Sequence, residues 1–88
     1  MFEWDESKRQ ANLEKHGLDF SGAALLFDGR PVIDLPARSE GELRTISVAL
    51  VNDTFVTLVW TLRGSNRRII SFRRSRHEER RAYRELFP

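Results

Sequence analysis

The last third of the chain concentrates side chains that can bind phosphate. Residues 61–88 carry nine arginines against Glu78, Glu79 and Glu85, a net charge of +6, whereas residues 1–60 carry six basic and ten acidic groups, a net charge of −4. Arginine presents a planar fork of N–H donors that holds phosphate bidentately and stacks on bases. A clustered basic surface also attracts polyanions at long range. The pattern therefore favours a nucleic-acid partner, and the alternative is a solvated charged face.

Two strands within residues 54–75 are predicted to position most of these arginines. The first alternates with period two, which predicts a core face and a polar face. Its core face holds Val56, Leu58, Trp60 and Leu62, and its polar face holds Thr57, Thr61 and Arg63. In the second strand Ile70 and Phe72 are predicted to point inward, which places Ile69, Ser71 and Arg73 beside Arg63. Because Ile69 and Ile70 are both apolar, the opposite choice stays open and would place Arg68 and Arg74 on the polar face.

The other elements are predicted from caps and turn residues. Asp5 caps a helix from Glu6 to His16, which Gly17 ends. Asp19 caps a second helix with an apolar face of Phe20, Ala23, Ala24 and Phe27. Short strands are predicted at residues 2–4, 31–35 and 44–51, a loop at 36–41, and a two-residue hairpin turn at Asn52-Asp53. The last helix opens at Ser75, with a capping box from Ser75 to Glu78.

These elements predict an α+β fold. The order is β-α-α-β-β-β-α, an antiparallel sheet with two N-terminal helices and one C-terminal helix. The length suits a single domain over residues 1–88.

Composition excludes several kinds of site. The chain has no cysteine, which rules out disulfides, thiolate zinc sites and cysteine nucleophiles. Its two histidines are far apart in the sequence, so no metal and no cofactor are predicted. No apolar run reaches the length of a signal peptide or a membrane span, and we expect a cytoplasmic protein without membrane association.

The two ends of the chain resemble the BrnT family of type II toxins. The opening pattern is WD-x-x-K-x-x-x-N-x-x-KHG, and the segment RIIS-x-R lies in the last predicted strand. The similarity spans nearly the whole chain. Its residues are Trp4, Asp5, Lys8, Asn12, Lys15, His16, Gly17, Phe20, Ala23, Phe27, Asp28, Arg44, Arg63, Arg68, Ile69, Ile70, Ser71, Arg73, Glu79 and Tyr83.

The resemblance implies a compact RelE-like fold and an activity. Proteins of this family are expected to be RNA endonucleases that inhibit translation, with or without help from the ribosome. The implied partners are RNA and a cognate antitoxin of the BrnA type, whose ribbon-helix-helix region binds DNA. The toxin itself would therefore reach DNA only through the antitoxin.

Metal-free RNA cleavage needs a group that removes the 2′-hydroxyl proton, positive charge at the phosphate and a donor for the leaving oxygen. Arg63 and Arg73 are the leading candidates for the charge, followed by Arg68, which shares the RIIS-x-R segment. Glu79 is the candidate general base, and Tyr83 is a candidate proton donor or base-stacking platform. The alternatives are that each arginine only positions RNA, that Glu79 only pairs with an arginine, and that Tyr83 only covers the core.

A second set of residues is predicted to bind RNA. Lys8, Asn12 and Lys15 share one stripe of the first helix and could contact RNA or the antitoxin, and Asn12 could instead bond locally. His16 could titrate near neutrality or interact with the helix dipole. The complete set is Lys8, Asn12, Lys15, His16, Arg74, Arg76 and Arg80. The competing hypothesis is a module that binds RNA or a partner through the arginine-rich face without cutting.

Overall fold

A computed structural model describes all 88 residues of the chain, Met1–Pro88. It contains a five-stranded sheet with the order β1-β5-β4-β3-β2. The strands are β1 (Phe2–Glu3), β2 (Val32–Ser39), β3 (Glu42–Val51), β4 (Thr54–Arg63) and β5 (Asn66–Arg74). Helix α1 spans Glu6–His16, a 3₁₀ helix spans Phe20–Phe27, and helix α2 spans His77–Leu86. No helix is long and apolar enough to cross a membrane.

The α+β class is confirmed, with three corrections to the sheet. The chain has one strand more than the predicted order, because residues 31–35, 44–51 and both strands of the 54–75 region all belong to the sheet. The sheet is also mixed, since β1 pairs with β5 in parallel while all other pairs are antiparallel. The predicted loop at residues 36–41 is wrong: β2 continues through Pro36 to Ser39, and Glu40 and Gly41 make the turn with positive φ angles.

Local sequence sets the ends of α1 as predicted. The Asp5 carboxylate accepts from the Ser7 and Lys8 amides, and Gly17 adopts the left-handed conformation at φ 70°. The predicted turn at Asn52-Asp53 is also present. Both residues have positive φ, 50° and 64°, as a type I′ hairpin turn requires.

The second helix is a 3₁₀ helix, and this changes which residues it buries. Its three-residue period places Phe20, Ala23 and Leu26 in the core. Ala24, expected on the apolar face, is exposed. The main core consists of these three residues and five from the sheet, namely Ala49, Val56, Leu58, Ile69 and Phe72.

A β-bulge in β5 corrects the predicted faces of that strand. Val59 pairs with Ser71 and Trp60 pairs with Ile69, so Ile70 is the extra residue. Ile69 is therefore buried in the core at 1% exposure, and not on the polar side as predicted. On the N-terminal side of the bulge Arg68 lies opposite Thr61, and on the C-terminal side Arg73 lies opposite Thr57. Arg68 and Arg73 therefore lie on the same side of the sheet, whereas each of the two predicted alternations placed them on opposite sides.

We name the two sides of the sheet by their residues. The core face bears Val56, Leu58 and Phe72 and is covered by the 3₁₀ helix. The arginine face bears Thr57, Arg68 and Arg73, and α2 covers one end of it through a small cluster of Ile33, Val48 and Tyr83. Leu62, predicted as a core residue, lies at the end of β4 beyond the helices and is 64% exposed.

Candidate active site on the arginine face

The centre of the site is a bidentate pair between strand β5 and helix α2. Nη1 and Nη2 of Arg73 donate to Oε1 and Oε2 of Glu79 at 2.8 and 2.9 Å. Both side chains are largely buried, at 14% and 11% exposure. Fork-to-fork geometry of this kind fixes the plane of the guanidinium as well as its position.

Two buried hydroxyls hold Glu79 from the sheet side. Thr57 Oγ1 donates to Glu79 Oε1 at 2.9 Å and lies 2.7 Å from Ser75 Oγ. Because a hydroxyl carries one hydrogen, and Thr57 gives it to Glu79, Ser75 is the donor to Thr57. Ser75 is therefore not the helix cap that the sequence predicted. Arg76 occupies that position, and Glu79, not Glu78, accepts from its backbone amide at 2.8 Å.

This environment keeps Glu79 ionised. Burial raises the pKa of the carboxyl, but the Arg73 guanidinium, the Arg76 amide and the Thr57 hydroxyl together lower it to about 2. A carboxylate with four hydrogen bonds and such a pKa is a weak proton acceptor near neutrality. The geometry supports the alternative in which Glu79 pairs with a neighbouring arginine.

The second edge of Arg73 has no acceptor within the chain. Nη1 donates to Glu79 and, at 3.3 Å, to the carbonyl of Arg74, and Nη2 gives one hydrogen to Glu79. The N–H of Nε and the remaining hydrogen of Nη2 are left. Unlike Arg67 Nε, Arg73 Nε is not sealed from solvent. These two parallel donors match two oxygens of a phosphate.

The other two candidate arginines lie on the same face but pair with different carboxylates. Arg68 Nη1 donates to Glu3 Oε2 at 2.8 Å, and Asn66 also donates to Glu3. The Arg68 hydrogen bond is the main cause of the lowered pKa of Glu3. Arg63 is more exposed, at 55%, and its Nη2 lies 3.8 Å from Glu42 Oε2. The structure thus confirms the predicted shared face of Arg63 and Arg73 and adds Arg68 to it.

Tyr83 belongs to the hydrophobic packing under α2. It is 7% exposed, and its ring contacts the rings of Phe55 and Phe87 at centroid distances of 5.4 and 5.0 Å. Its hydroxyl donates to the Pro31 carbonyl at 3.3 Å. This placement supports the alternative that Tyr83 covers the core.

Asn12 joins α1 to the free edge of β5. Its Nδ2 donates to the carbonyls of Leu18 and Phe72 at 2.9 and 2.7 Å, and its Oδ1 accepts from the Phe72 amide at 3.2 Å. The side chain acts as a short piece of strand beside the residue that precedes Arg73. Asn12 is buried, with 8% of its surface exposed, whereas Lys8 and Lys15, predicted on the same stripe of α1, are exposed.

His16 lies one helical turn after Asn12 in α1, near enough to Arg73 for the charge of that guanidinium to act on the imidazole. Burial lowers its pKa below 6.5, and the charges of Lys15 and Arg73 lower it further. The imidazole is therefore mainly neutral at pH 7, with one nitrogen available as an acceptor.

The remaining predicted RNA contacts do not form one group. Arg76 is exposed next to the site, and Arg80 donates through Nη1 to the Ser75 carbonyl at 2.7 Å. Arg74 is exposed on the opposite side, where it lines an open cleft with Leu18, Leu25 and Phe72. The structure brings Arg73, Glu79, Arg76 and Arg80 together and leaves Arg74 apart.

Sequence reasoning did not single out Thr57, Ser75, Glu3 and Glu42 as parts of the site. Thr57 gave a usable signal, since it shares the predicted polar face of its strand with Thr61 and Arg63. The contacts of the two glutamates join segments distant in sequence, 65 residues apart for Glu3 and Arg68. No local pattern could have indicated them.

The fold and the site together define a class of protein. A small α+β domain with arginines fixed on one face of its sheet is consistent with RelE-like ribonuclease toxins. A family model described as "Ribonuclease toxin, BrnT, of type II toxin-antitoxin system" matches residues 4–79. The chain therefore belongs to the BrnT family of ribonuclease toxins. A comparison with curated proteins finds no match.

Proposed function

We propose that this protein is a metal-independent RNA endonuclease that inhibits translation in the cytoplasm. The scissile phosphate binds the free edge of Arg73, formed by Nε and Nη2. Arg68 and Arg63 hold the RNA backbone on the same face, together with Lys8, Lys15 and Arg76 at its margin. The family membership supports the reaction, and the geometry of Arg73 supports the place.

The observation that carries the proposal is that Arg73 uses one edge of its guanidinium within the chain and leaves the other edge free. Glu79 takes one edge of the guanidinium, and the other edge has two donors without an acceptor. Negative charge develops on phosphate oxygens during cleavage, and a fixed pair of donors stabilises it. Glu79 acts here by positioning Arg73. We assign the role of proton acceptor to His16, in place of the Glu79 assignment made from sequence, because its imidazole makes no hydrogen bond within the chain and its pKa is lowered by burial and by the charges of Lys15 and Arg73.

The test compares Arg73→Lys and Arg73→Ala with the wild type and with Arg81→Ala, which removes an exposed arginine of α2 away from the site. Lysine keeps the charge but has no second parallel donor, so both Arg73 variants should cut RNA about 10²–10³-fold more slowly. Arg81→Ala should cut at the wild-type rate. Cleavage is measured on purified RNA with and without EDTA, which should have no effect.

Wild-type cleavage by Arg73→Ala would remove Arg73 from the mechanism. Loss of cleavage in EDTA would contradict the metal-independent reaction. In cells, induced wild-type protein should arrest growth and bulk protein synthesis, while Arg73→Ala at matched soluble levels should not.

The second candidate function is an RNA-binding module without catalysis. It is favoured by the saturation of Glu79 and the burial of Tyr83, which leave neither group free to transfer a proton. This function predicts retarded RNA in a gel shift, with the RNA intact at every protein concentration.

The proposed function also includes a protein partner, the antitoxin. We infer a BrnA-like antitoxin with a ribbon-helix-helix region, encoded beside the toxin, which links the complex to DNA. Co-expression of the two proteins should yield a stable complex and abolish growth arrest. A neighbouring gene product that neither binds nor protects would contradict this pairing.

A further inference from the structure

A row of four exposed or half-buried side chains crosses the core face beyond the 3₁₀ helix. Arg38 of β2 lies opposite Leu43 of β3, and Leu62 of β4 lies opposite Arg67 of β5. The leucines are 61% and 64% exposed. We call this set, Arg38, Leu43, Leu62 and Arg67, the leucine row.

The two halves of the leucine row are adjacent. The β3–β4 register pairs Thr45 with Trp60, and two further residues bring Leu43 beside Leu62. The strands stay together there, because Thr61 Oγ1 donates to the Leu43 carbonyl at 2.9 Å and Arg63 approaches Glu42 at 3.8 Å. The row is thus an apolar pair with an arginine at each end.

Arg67 lacks a hydrogen-bond acceptor for its side chain. Its guanidinium carbon lies 4.3 Å from the centroid of the Phe27 ring, 5.7 Å from Trp60 and 5.9 Å from Phe2. Its Nε is buried without a hydrogen-bond partner. Nε is closed to an outside partner as it is to solvent, but Nη1 and Nη2 make no hydrogen bond within the chain and are not sealed in this way. Their N–H donors can therefore take an acceptor supplied from outside the chain.

We propose that the leucine row binds an acidic, apolar segment of the antitoxin. Apolar side chains of that segment cover Leu43 and Leu62, and its carboxylates pair with Arg67 and Arg38. Arg38 is available for this, since its single hydrogen bond is a long one of 3.4 Å to the Gly41 carbonyl. The assignment rests on the proposed function, because the antitoxin is the partner named there.

Charge and polarity decide between this occupant and two others. A second copy of the chain would place arginine against arginine if it used the same row. RNA would supply phosphates for the arginines but would not cover two exposed leucines. A peptide that alternates acidic and apolar side chains satisfies both parts of the row, and a strongly bound partner places apolar contacts at the centre and charges at the rim.

The row is separate from the arginine face. Arg67 and Leu62 belong to the core face, whereas Arg68, Arg63 and Arg73 lie on the other side of the sheet. Changes in the leucine row should therefore weaken antitoxin binding without changing RNA cleavage.

The experiment measures the dissociation constant of the toxin for the antitoxin encoded beside it. The toxin variants are Leu43→Ser with Leu62→Ser, and Arg67→Met, which keeps an unbranched side chain on Phe27. Each should bind about 10–100-fold more weakly, since hot-spot residues of interfaces cost about 1.4–3 kcal/mol when removed. The affinity of Arg67→Met should also depend less on salt concentration than that of the wild type.

Two control variants and five contrary outcomes complete the test. Leu86→Ser removes a leucine on α2 that is 67% exposed, and Arg81→Gln removes an arginine elsewhere; both should bind as the wild type does. Unchanged affinity of the row variants, or equal weakening by Leu86→Ser, would overturn the inference. So would a loss of RNA binding at unchanged antitoxin affinity, or a row variant that merely converts a toxin dimer to a monomer. A wild type that forms no complex at all would overturn the proposed partner as well.

Discussion

At the scale of single residues, Arg73 and Glu79 define the site. Both were candidates from the sequence, but their roles could not be assigned there. A carboxylate near an arginine can act either as a general base or as the ion-pair partner of that arginine. The structure shows a carboxylate with four donors around it and an arginine with one edge unused. This arrangement supports a single task for Glu79, which is to orient Arg73.

Replacing Glu79 by Gln should destabilise the protein and remove part of its acid sensitivity. The carboxyl has a pKa of about 2 in the folded chain and 4.5 as its ordinary value, so its stabilisation is present above about pH 4.5 and is lost as the pH falls toward 2. We expect a loss of about 3 kcal/mol at pH 7, since the variant leaves Arg73 unpaired. Urea unfolding at pH 7, 4 and 2.5 measures both effects.

Glu78→Gln is the matched control, because Glu78 is exposed on the same turn of α2. It should unfold as the wild type does at each pH. An equal loss of stability for Glu79→Gln at pH 7 and pH 2.5 would show that the carboxylate charge does not contribute.

At the scale of secondary-structure elements, two attachments of β5 place the arginines. Asn12 fills the edge of the strand at Phe72, and the bulge at Ile70 changes the alternation beyond it. Both features lie within four residues of Arg73. The orientation of the arginines therefore depends on residues that do not themselves contact a substrate.

Asn12→Ala should cost about 2–3 kcal/mol in the free energy of unfolding. It leaves the amide and carbonyl of Phe72 without partners in a buried place, which costs more than the loss of one exposed hydrogen bond. Gln10→Ala, an exposed change on the same helix, should cost less than about 0.5 kcal/mol. Equilibrium unfolding in urea gives both values, and equal costs would contradict the role of Asn12 as an attachment.

Deleting Ile70 should remove the bulge and leave the faces of β5 unchanged, so the variant should still fold. Ser71 and Ile69 would become consecutive and keep their partners Val59 and Trp60, which leaves Ile69 in the core and Arg68 on the arginine face. Ile70→Ala keeps the residue count and should lower stability by about 1–2 kcal/mol, because Ile70 is half-buried. A deletion variant that is unfolded while Ile70→Ala stays folded would contradict this account of the bulge.

The sequence predicts elements well where neighbouring residues decide them. Asp5 and Gly17 bound α1 as expected, and Asn52-Asp53 makes the expected turn. The 3₁₀ geometry of residues 20–27 and the bulge at Ile70 depend on packing against distant parts of the chain, so the periodicity of the sequence led to the wrong inward residues. Ser75 was taken for a cap because its partner Thr57 lies 18 residues away.

At the scale of the whole molecule, the fold determines which of the C-terminal arginines remain available to a polyanion. The C-terminal arginines are spread over both sides of the sheet, and acidic residues of the N-terminal part, such as Glu3 and Glu42, reach two of them. The arginines with a free edge or an exposed side chain are those available to a polyanion.

RNA affinity should fall steeply with salt, and removal of single contacts should reduce that dependence. Each phosphate neutralised by the protein adds about −0.7 to the slope of log K against log salt for single-stranded RNA. Lys15→Gln should therefore make the slope shallower by about that amount. Arg81→Gln should leave it unchanged. A slope for Lys15→Gln equal to that of the wild type would show that Lys15 makes no phosphate contact.

The bond between Arg73 and Glu79 also has an entropic consequence. A free arginine side chain loses about 2 kcal/mol of rotamer entropy when a ligand immobilises it. Here the fold has already restricted Arg73, through Glu79, Thr57 and Ser75, before any substrate arrives. The ordering cost is thus borne during folding, and phosphate binding gains affinity in proportion. A variant that loosens α2 should therefore weaken phosphate binding, because Arg73 would then have to be ordered when the substrate binds.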